Sequence, residues 1–338
     1  MQKQVFLALS TFLVSCATAH QVPPPLEAKK RLAPSKLVLP STRTEFSPNK
    51  GIEAEKYADN ASVQKWIAFF SAQGKNRFES VLKRGSLYKK QIHAILQKFE
   101  LPTHFYYLAL IESDFKVDAK SPAQAAGIWQ FMSPTARNYG LRINSFIDER
   151  RDPWRSTVAA ALYLKNLKNV FDSWFLAMSA YNAGESRIMN AIIRSGTRDF
   201  WQLSKIGFIP RETREYVPRF LAAVIVGENP GKYGLNIDFP EQPNVLAVRV
   251  PSPVKLETIA QRAGLSLDEL KTYNPHFLKA FTPPHTDSYR IWLPQGKNYN
   301  LDALAQLEVL PLSKVQSVRI AHKHHAKKHR RSKRFARK

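Results

Sequence analysis

Apolar residues recur at helical spacing through the first two thirds of the chain. Four of them mark one helix face at the positions i, i+3, i+4 and i+7: Val63, Trp66, Ile67 and Phe70. Residues 88–99 show a similar face, and residues 174–181 form a short apolar stretch that Gly184 ends. Asp152 followed by Pro153 is typical of a helix start, and it precedes an alanine-rich stretch. The pattern predicts a mainly α domain, because strand-like alternation is nearly absent from this part of the chain.

Beyond a last predicted helix at 212–226, the pattern changes to that of a small mixed unit. Residues 245–250 alternate between apolar and polar positions like a strand, and residues 289–293 do the same. Gly264 separates two short helices that are predicted between these strands, over 256–263 and 266–273. We therefore expect a β-α-α-β unit at 244–295.

Composition divides the chain further. A proline-rich stretch before the helical part is typical of an extended tether, and a strongly basic end without apolar pattern is predicted to be disordered. We expect five segments in order: a signal peptide at 1–15, a lipidated cysteine and tether at 16–54, the helical domain at 55–240 with its core at 85–235, the β-α-α-β unit at 244–295, and a basic tail at 296–338.

The start of the chain predicts export and a lipid anchor. Lys3 precedes an apolar run at 5–14, which is too short to span a bilayer as a helix but suits a secretory signal. Residues 13–16 resemble the lipobox of bacterial lipoproteins, which implies lipidation of Cys16, the only cysteine in the sequence. Because Ala17 follows it, the resemblance implies sorting to the outer membrane, facing the periplasm. The alternative is an ordinary signal peptide cut near Ala17 or Ala19, with an incidental cysteine.

The chain is strongly basic, with a formal net charge of +24 at pH 7. Residues 321–338 hold nine Lys and Arg and no acid, so most of the excess is spread over the rest of the chain. Basic proteins favour polyanions, which include nucleic acid, anionic membrane and acidic wall polymer. The export signal argues against nucleic acid. The tail histidines have no cysteine or carboxylate beside them, so no metal site is predicted there.

Glu112 is the most informative single residue. It is the one charged group in an apolar run at 106–113, and a charge on an apolar helix face is costly unless it is partnered or protonated. A carboxyl group that stays protonated near neutral pH is what a general acid needs. The run alone leaves open a second interpretation, in which Glu112 simply reaches water.

The motifs that follow Glu112 give it a context. Five of them stand in order: Glu112-Ser113, Ser121-Pro122, Gly127-x-Trp129-Gln130-x-Met132, Ala180-Tyr181-Asn182 and Glu212-Thr213-x-x-Tyr216. Together they resemble the soluble lytic transglycosylase domain over 85–235. The resemblance implies a lysozyme-like helical fold with a cleft for a peptidoglycan strand, and it implies no metal or cofactor.

The resemblance also assigns roles. Glu112 matches the sole catalytic acid and base, which protonates the bond between N-acetylmuramic acid and N-acetylglucosamine. It then accepts the proton of the muramoyl C6 hydroxyl, and a 1,6-anhydro end results. The matching substrate-binding residues are Ser121, Gln130 and Tyr181 for sugar hydrogen bonds, Asn182 and Tyr216 beside the carboxyl, Met132 as an apolar wall, and Gly127 for close approach to sugar. For Gly127 a simple turn, and for Trp129 core packing, are the alternatives.

The β-α-α-β unit resembles a LysM domain, a glycan-binding module. The two-helix pattern matches, but residues 251–256 replace the usual Gly-Asp-Thr-Leu turn beside the glycan groove. The resemblance therefore leaves open whether this copy binds glycan or serves as a spacer or interdomain brace.

Three functions remain open at this point. The resemblance favours a lytic transglycosylase, which needs one carboxyl group because the substrate supplies its own nucleophile. A muramidase would hydrolyse the same bond with water, and most glycosidases of that kind use two carboxylates. A non-catalytic peptidoglycan-binding scaffold is the third possibility. Asp114 and Asp118 are the acids nearest Glu112 in sequence, and neither is predicted to face it.

Overall fold

The computed structural model describes residues 52–311. The predicted signal peptide, the predicted lipidation site Cys16 and the basic residues 321–338 lie outside the described residues. Within 52–311, no helix combines the length and the apolar character that crossing a bilayer requires.

The first part of the described chain is helical, as predicted. Its α-helices are α1 (Ala61–Ser71), α2 (Lys75–Lys98), α3 (Tyr106–Ser113), α4 (Ser133–Asn138), α5 (Pro153–Phe171), α6 (Trp174–Ala183), α7 (Glu185–Ser195), α8 (Phe200–Lys205) and α9 (Arg211–Glu228). Short 3-10 helices lie at Ala54–Tyr57, Thr103–Phe105, Glu149–Arg151 and Pro230–Tyr233.

Local chemistry explains where these helices begin. The Asp152 side chain accepts hydrogen bonds from the backbone N–H groups of Trp154 and Arg155, both at 3.0 Å, and Pro153 occupies the first turn of α5. Asn60 caps α1 in the same way through the N–H group of Ser62. The predicted start of α5 is therefore confirmed.

Helix α3 is at the centre of the helical core. All of its residues except Glu112 are buried. It packs against α2 and α9, and α9 is buried over most of its length and continues through Pro218. Because α3 is packed on nearly every side, its backbone is held in place. The backbone position from which the Glu112 side chain leaves the core is therefore fixed.

The second part forms the predicted β-α-α-β unit. Its elements are β1 (Val245–Pro251), α10 (Leu256–Arg262), α11 (Leu267–Tyr273), β2 (Ser288–Pro294) and a further helix α12 (Leu301–Ala305). The strands are antiparallel, with Val248 opposite Ile291. Alternate residues of each strand point into a core of their own, separate from that of the helical domain.

Helix α12 corrects the predicted start of the tail at residue 296. Leu304 and Leu307 are buried in the core of the second unit, and the Leu310 N–H group donates to the Pro253 carbonyl at 2.7 Å. Two leucines three residues apart are enough to anchor a short helix to an existing core, but too few to predict one from spacing alone.

The run at 146–155 joins the two parts. Ile147 is buried in the core of the second unit, and the Leu278 N–H group donates to the Phe146 carbonyl at 2.8 Å. Two buried acids follow: Glu149 accepts from the Tyr289 hydroxyl at 2.9 Å, and Asp152 accepts from the Trp292 indole at 2.7 Å. Asp148 and Asp152 also cap the helices that follow them, so the run both starts helices and forms the interface.

Candidate active site

A cleft of about 630 Å³ opens in the helical domain. Side chains from α1, α3, α6 and α9 and from the loop after α3 line it. Seven predicted site residues are among them: Glu112, Ser121, Gln130, Met132, Tyr181, Asn182 and Tyr216. Residues far apart in sequence thus converge on one surface, with Glu112 among them.

Glu112 reaches the cleft from α3 and is held there by a tyrosine. The Tyr216 hydroxyl of α9 donates a hydrogen bond to Oε1 of Glu112 at 2.5 Å. The other carboxyl oxygen, Oε2, accepts no hydrogen bond from any residue within 52–311. One oxygen therefore fixes the orientation of the carboxyl group, and the other is left for a ligand.

The surroundings of Glu112 favour its protonated form. Burial raises the pKa of Glu112 to about 7, from an ordinary value of 4.5. The hydrogen bond from Tyr216 and the positive charge of Arg219 act in the opposite direction but do not offset burial. Near neutral pH both protonation states of Glu112 are populated, which is the condition for giving and then taking back a proton.

Tyr216 and Tyr181 remain protonated beside Glu112. Burial raises the pKa of both phenols well above the usual value of 10, and the neighbouring Glu112 carboxylate raises it further. Tyr181 donates its proton to the Trp129 carbonyl at 2.8 Å. Its predicted sugar contact is thus limited to accepting a hydrogen bond while that bond persists.

Three polar side chains are held in place along the cleft. Ser121 Oγ accepts from the Ala125 N–H group at 3.0 Å. The Gln130 amide N–H group donates to the Gly127 carbonyl at 2.8 Å, and its amide oxygen accepts no hydrogen bond within the described chain. Asn182 accepts from the Thr213 hydroxyl at 2.8 Å. Each side chain is oriented by hydrogen bonds within the protein and keeps capacity for another.

The predicted contact between Asn182 and the Glu112 carboxyl group is not observed. No hydrogen bond links Asn182 to Glu112 among the described residues, and its bond to Thr213 joins α6 to α9 instead. The predicted orienting role is fulfilled by Tyr216. Asn182 lines the cleft at a position suited to contacting a ligand directly.

Gly127 also differs from its prediction. Its φ angle is +79°, and a methyl group there would overlap the backbone carbonyl oxygen of Arg150. Gly127 does not line the cleft. The close approach that requires glycine is between two backbone segments behind the cleft, not between backbone and sugar, and the turn alternative is nearer to what is observed.

Arg150 holds the loop that Gly127 belongs to. Its guanidinium donates to the carbonyls of Gln124 and Phe131, at 2.8 and 3.0 Å, and pairs with Asp148 at 2.7 Å. Gln124 and Phe131 belong to the loop that lines the cleft, and Asp148 belongs to the run at 146–155. A buried arginine thus fixes one wall of the cleft to the interface between the two parts.

Trp129 and Met132 take the positions expected of core and wall. Trp129 is fully buried, with its indole N–H group donating to Thr157 Oγ1 at 2.9 Å. This confirms the core-packing interpretation. Met132 is 43% exposed and lines the cleft.

Besides three small or aliphatic residues, the cleft is lined by four residues that the sequence did not single out as site residues: Trp66, Glu212, Glu215 and Arg219. Glu215 accepts from the Trp66 indole at 2.8 Å and pairs with Lys65 at 3.2 Å. The three charged residues fall at helical spacing around Tyr216, which is the signal that could have identified them. Trp66 gave no such signal, because its spacing matches the buried face of α1.

The acids nearest Glu112 in sequence are directed elsewhere. Asp114 does not line the cleft and pairs with Arg77 at 2.7 Å, and Asp118 is exposed outside the cleft. Neither acid therefore lines the cleft beside Glu112.

Two protein-family models match the chain. Residues 91–204 match the transglycosylase SLT domain, and residues 245–309 match the LysM-like domain of lytic transglycosylase MltD. Both resemblances drawn from the sequence are confirmed over these ranges. With the observed elements, they confirm a mainly α fold with a lysozyme-like domain followed by a small LysM-like unit.

The chain is also similar to individual proteins. It is 38% identical over 208 residues to membrane-bound lytic murein transglycosylase D of Escherichia coli (strain K12), covering 60% of this chain and 45% of that protein. It is 37% identical over 103 residues to peptidoglycan transglycosylase gp16 of Escherichia phage T7, covering 30% of this chain and 8% of that protein. The chain thus spans less than half the length of either relative.

A solved structure gives a weaker likeness. The crystal structure of the 70 kDa soluble lytic transglycosylase of Escherichia coli is 26% identical, with a TM-score of 0.37. The match covers 42% of this chain and 24% of that one.

Proposed function

We propose that the chain is a peptidoglycan lytic transglycosylase. Two observations support this: residues 91–204 match the transglycosylase SLT domain, and the cleft contains the half-buried carboxyl group of Glu112. The substrate is the β-1,4 bond between N-acetylmuramic acid and N-acetylglucosamine. The products are a free N-acetylglucosamine end and a 1,6-anhydromuramoyl end. Water is not consumed.

Glu112 carries the reaction in this proposal. In its protonated form it donates its proton to the glycosidic oxygen as the bond to C1 breaks, while the substrate's acetamido oxygen stabilises C1. The resulting carboxylate accepts the proton of the muramoyl C6 hydroxyl, whose oxygen bonds to C1. The carboxyl group is then protonated again, so a single residue serves as acid and then as base.

One observation supports this most directly. The pKa of Glu112 is about 7, Tyr216 donates to its Oε1, and its Oε2 accepts no hydrogen bond from the described part of the chain. A group with that pKa has an appreciable fraction in each form at neutral pH, so neither proton transfer is strongly uphill. Around it, Ser121, Gln130, Tyr181 and Asn182 offer hydrogen bonds to sugar, and Met132 supplies an apolar wall.

A muramidase is the runner-up, because Glu212 and Glu215 also line the cleft and hydrolysis commonly uses a second carboxylate. Mass spectrometry of digested peptidoglycan sacculi separates the two reactions. We expect muropeptides that end in 1,6-anhydromuramic acid. Muropeptides with reducing muramic acid ends instead would establish the muramidase and refute the proposal.

Glu112→Gln tests the assignment of the catalytic group. Glutamine keeps the size of the side chain but cannot donate the proton, so we expect solubilisation of sacculi to fall by about a hundredfold or more. Glu228→Gln is the matched control, because Glu228 also accepts a tyrosine hydrogen bond, from Tyr107 at 2.8 Å, outside the cleft. If Glu112→Gln keeps full activity, Glu112 is not the acid. If wild type binds sacculi without releasing product, the chain is a scaffold.

We propose further that the chain is a lipoprotein anchored through Cys16 to the outer membrane and facing the periplasm. The lipobox-like residues 13–16 support this, and the Escherichia coli relative is named membrane-bound. Incorporation of labelled palmitate into wild type but not into Cys16→Ser is the expected result. Equal labelling of both proteins, or none, would refute lipidation.

A further inference from the structure

Arg219 is a positively charged residue of the cleft. It lies on α9 three residues after Tyr216, and it lines the cleft together with Glu112 and Trp66. Within the described residues it donates no hydrogen bond and forms no ion pair, and its Nε atom is buried without a partner. Its guanidinium carbon lies 5.5 Å from the centre of the Trp66 ring.

Asp114 and Glu112 attract the charge of Arg219 through space, but neither acid forms an ion pair with it. Glu215 is engaged with Lys65 and the Trp66 indole, and Asp114 is engaged with Arg77. Burial lowers the pKa of Arg219 from 12.5, yet an arginine keeps its charge throughout the physiological range. A partly buried charge without an ion-pair partner inside 52–311 lowers the stability of the folded protein, and a ligand anion that paired with it would offset that cost.

The geometry also indicates the kind of ligand. A guanidinium presents its N–H groups in a planar fork that matches the two oxygens of a carboxylate, which a lysine ammonium does not do. Trp66 limits the positions open to Arg219, because the bond from its indole to Glu215 fixes the ring beside it. The donors of Arg219 are thereby oriented before any ligand binds, which lowers the entropic cost of binding.

We propose that Arg219, packed against Trp66, forms a subsite for a carboxylate of the substrate. This proposal rests on the proposed function. It adds a substrate group that the protein would recognise apart from the bond that Glu112 cleaves. Two groups of a peptidoglycan strand have this chemistry. One is the lactyl carboxylate of a muramoyl residue without peptide, and the other is a carboxylate of the peptide stem.

Two pairs of strands distinguish these sources. The first pair is peptide-free strands with free or methyl-esterified lactyl groups, and the second is peptide-bearing strands with free or methyl-esterified stem carboxylates. For wild type we expect kcat/KM to favour the free acid in one pair by about tenfold to a hundredfold, the effect of one charge-assisted hydrogen-bonded pair. The pair that shows the preference identifies the source.

Arg219→Gln is expected to bring that ratio close to one. Arg214→Gln is the matched control, since Arg214 lies on the same helix and also has a buried, unpartnered Nε atom but does not line the cleft. It is expected to keep the wild-type ratio. Any steric hindrance from the methyl ester also acts on Arg219→Gln. A loss of the preference in this variant is therefore due to the missing positive charge of Arg219.

Two results would overturn the subsite. One is equal kcat/KM of wild type on both members of each pair. The other is an Arg219→Gln variant that keeps the preference but shifts the pH profile equally for all strands, because Arg219 would then act only through Glu112.

Failure of the proposed function is detected separately. If wild type releases no anhydromuramoyl product from any strand, the transglycosylase proposal fails. Equilibrium binding of the same strands then decides the subsite alone. A preference for the free acid that Arg219→Gln removes supports it, and equal affinities refute it.

Discussion

At the scale of single residues, the position of Glu112 favours catalysis at a cost to stability. The unfolded carboxyl ionises near pH 4.5, whereas the folded one retains its proton up to about pH 7. Between these values the folded state binds more protons than the unfolded state, so stability falls as pH rises, and the full cost is present above pH 7. The difference corresponds to at most about 3 kcal/mol, less for a group that partly reaches the cleft.

Glu112→Gln is therefore expected to stabilise the protein. The variant has no charge to desolvate, so its free energy of unfolding at pH 8 should exceed that of wild type by about 1–3 kcal/mol. At pH 4 the gain should vanish, because wild type is protonated in both states. Urea unfolding at the two pH values measures this. A variant that is equally or less stable at pH 8 would contradict the raised pKa.

Tyr216 lets the pH dependence of activity be predicted with its sign. Its hydrogen bond favours the ionised form of Glu112 and so lowers the pKa of Glu112 below what burial alone would give. In Tyr216→Phe that pKa rises, so the fall in kcat/KM with increasing pH should move to higher pH. Maximal activity should drop by about tenfold or more, because the carboxyl group loses its orientation.

A pH series of kcat/KM measures the shift. Tyr139→Phe is the control, because Tyr139 makes its hydrogen bond with Asn166 away from the cleft, at 3.1 Å. Its profile should match that of wild type. A shift of the Tyr216→Phe profile to lower pH would mean that the phenol stabilises the neutral carboxyl group.

The residue scale also shows what sequence could predict of the site. Glu112, Tyr181 and Tyr216 were identified because each belongs to a motif of fixed local spacing. Trp66 was missed because its place in the cleft depends on the packing of α1 against α9. Helical periodicity reports which residues share a face, but not which part of that face is left open.

At the scale of elements, the cleft loop depends on its fit behind the cleft. Gly127→Ala places a methyl group against the Arg150 carbonyl and also forces alanine into a positive φ angle. We expect a loss of about 2–4 kcal/mol in the free energy of unfolding. Activity should fall as well, because Gln130 and Met132 follow directly in the loop.

Gly140→Ala separates these two effects. Gly140 has a φ angle of +85° but no atom near its missing Cβ, so the substitution adds backbone strain alone. A loss of about 1 kcal/mol with unchanged activity is expected. Thermal unfolding and sacculus digestion measure both variants. Equal losses for the two would show that contact with Arg150 is unimportant.

Elements with a complete local signal were predicted best. Helix α5 has both an N-cap and a first-turn proline, and β1 and β2 alternate clearly, so their positions were confirmed. Helix α12 was missed because its only support is burial of Leu304 and Leu307 against a core built elsewhere in the chain. Short helices that are stabilised by packing leave little trace in sequence.

At the scale of the whole molecule, the two described parts are expected to unfold together. Glu149 and Asp152 of the helical part are buried, and each accepts one of its hydrogen bonds from the LysM-like unit, from Tyr289 and Trp292 respectively. Tyr289→Phe leaves Glu149 without one of its donors. It should lower the free energy of unfolding by about 1–3 kcal/mol and keep a single transition.

Tyr299→Phe is the matched control within the LysM-like unit. Its hydroxyl donates to the Pro294 carbonyl at 2.6 Å and is half-buried, so its removal should cost about 1 kcal/mol or less. Calorimetry with activity measured on heating tests both variants. Activity that survives a first, separate transition would show that the helical part is stable without its neighbour.

The charged run at 146–155 limits how freely these parts can be exchanged in evolution or by design. A LysM module that is linked only by a flexible segment can be replaced by another without regard to its surface. Here Asp152 accepts a hydrogen bond from the Trp292 indole, and Ile147 is buried in the core of the LysM-like unit. A replacement module would require a matching segment in place of 146–155. Recombination at the linker near residue 240 would therefore separate residues that contact each other across the interface. Shuffling that preserves folding is expected to move both segments together.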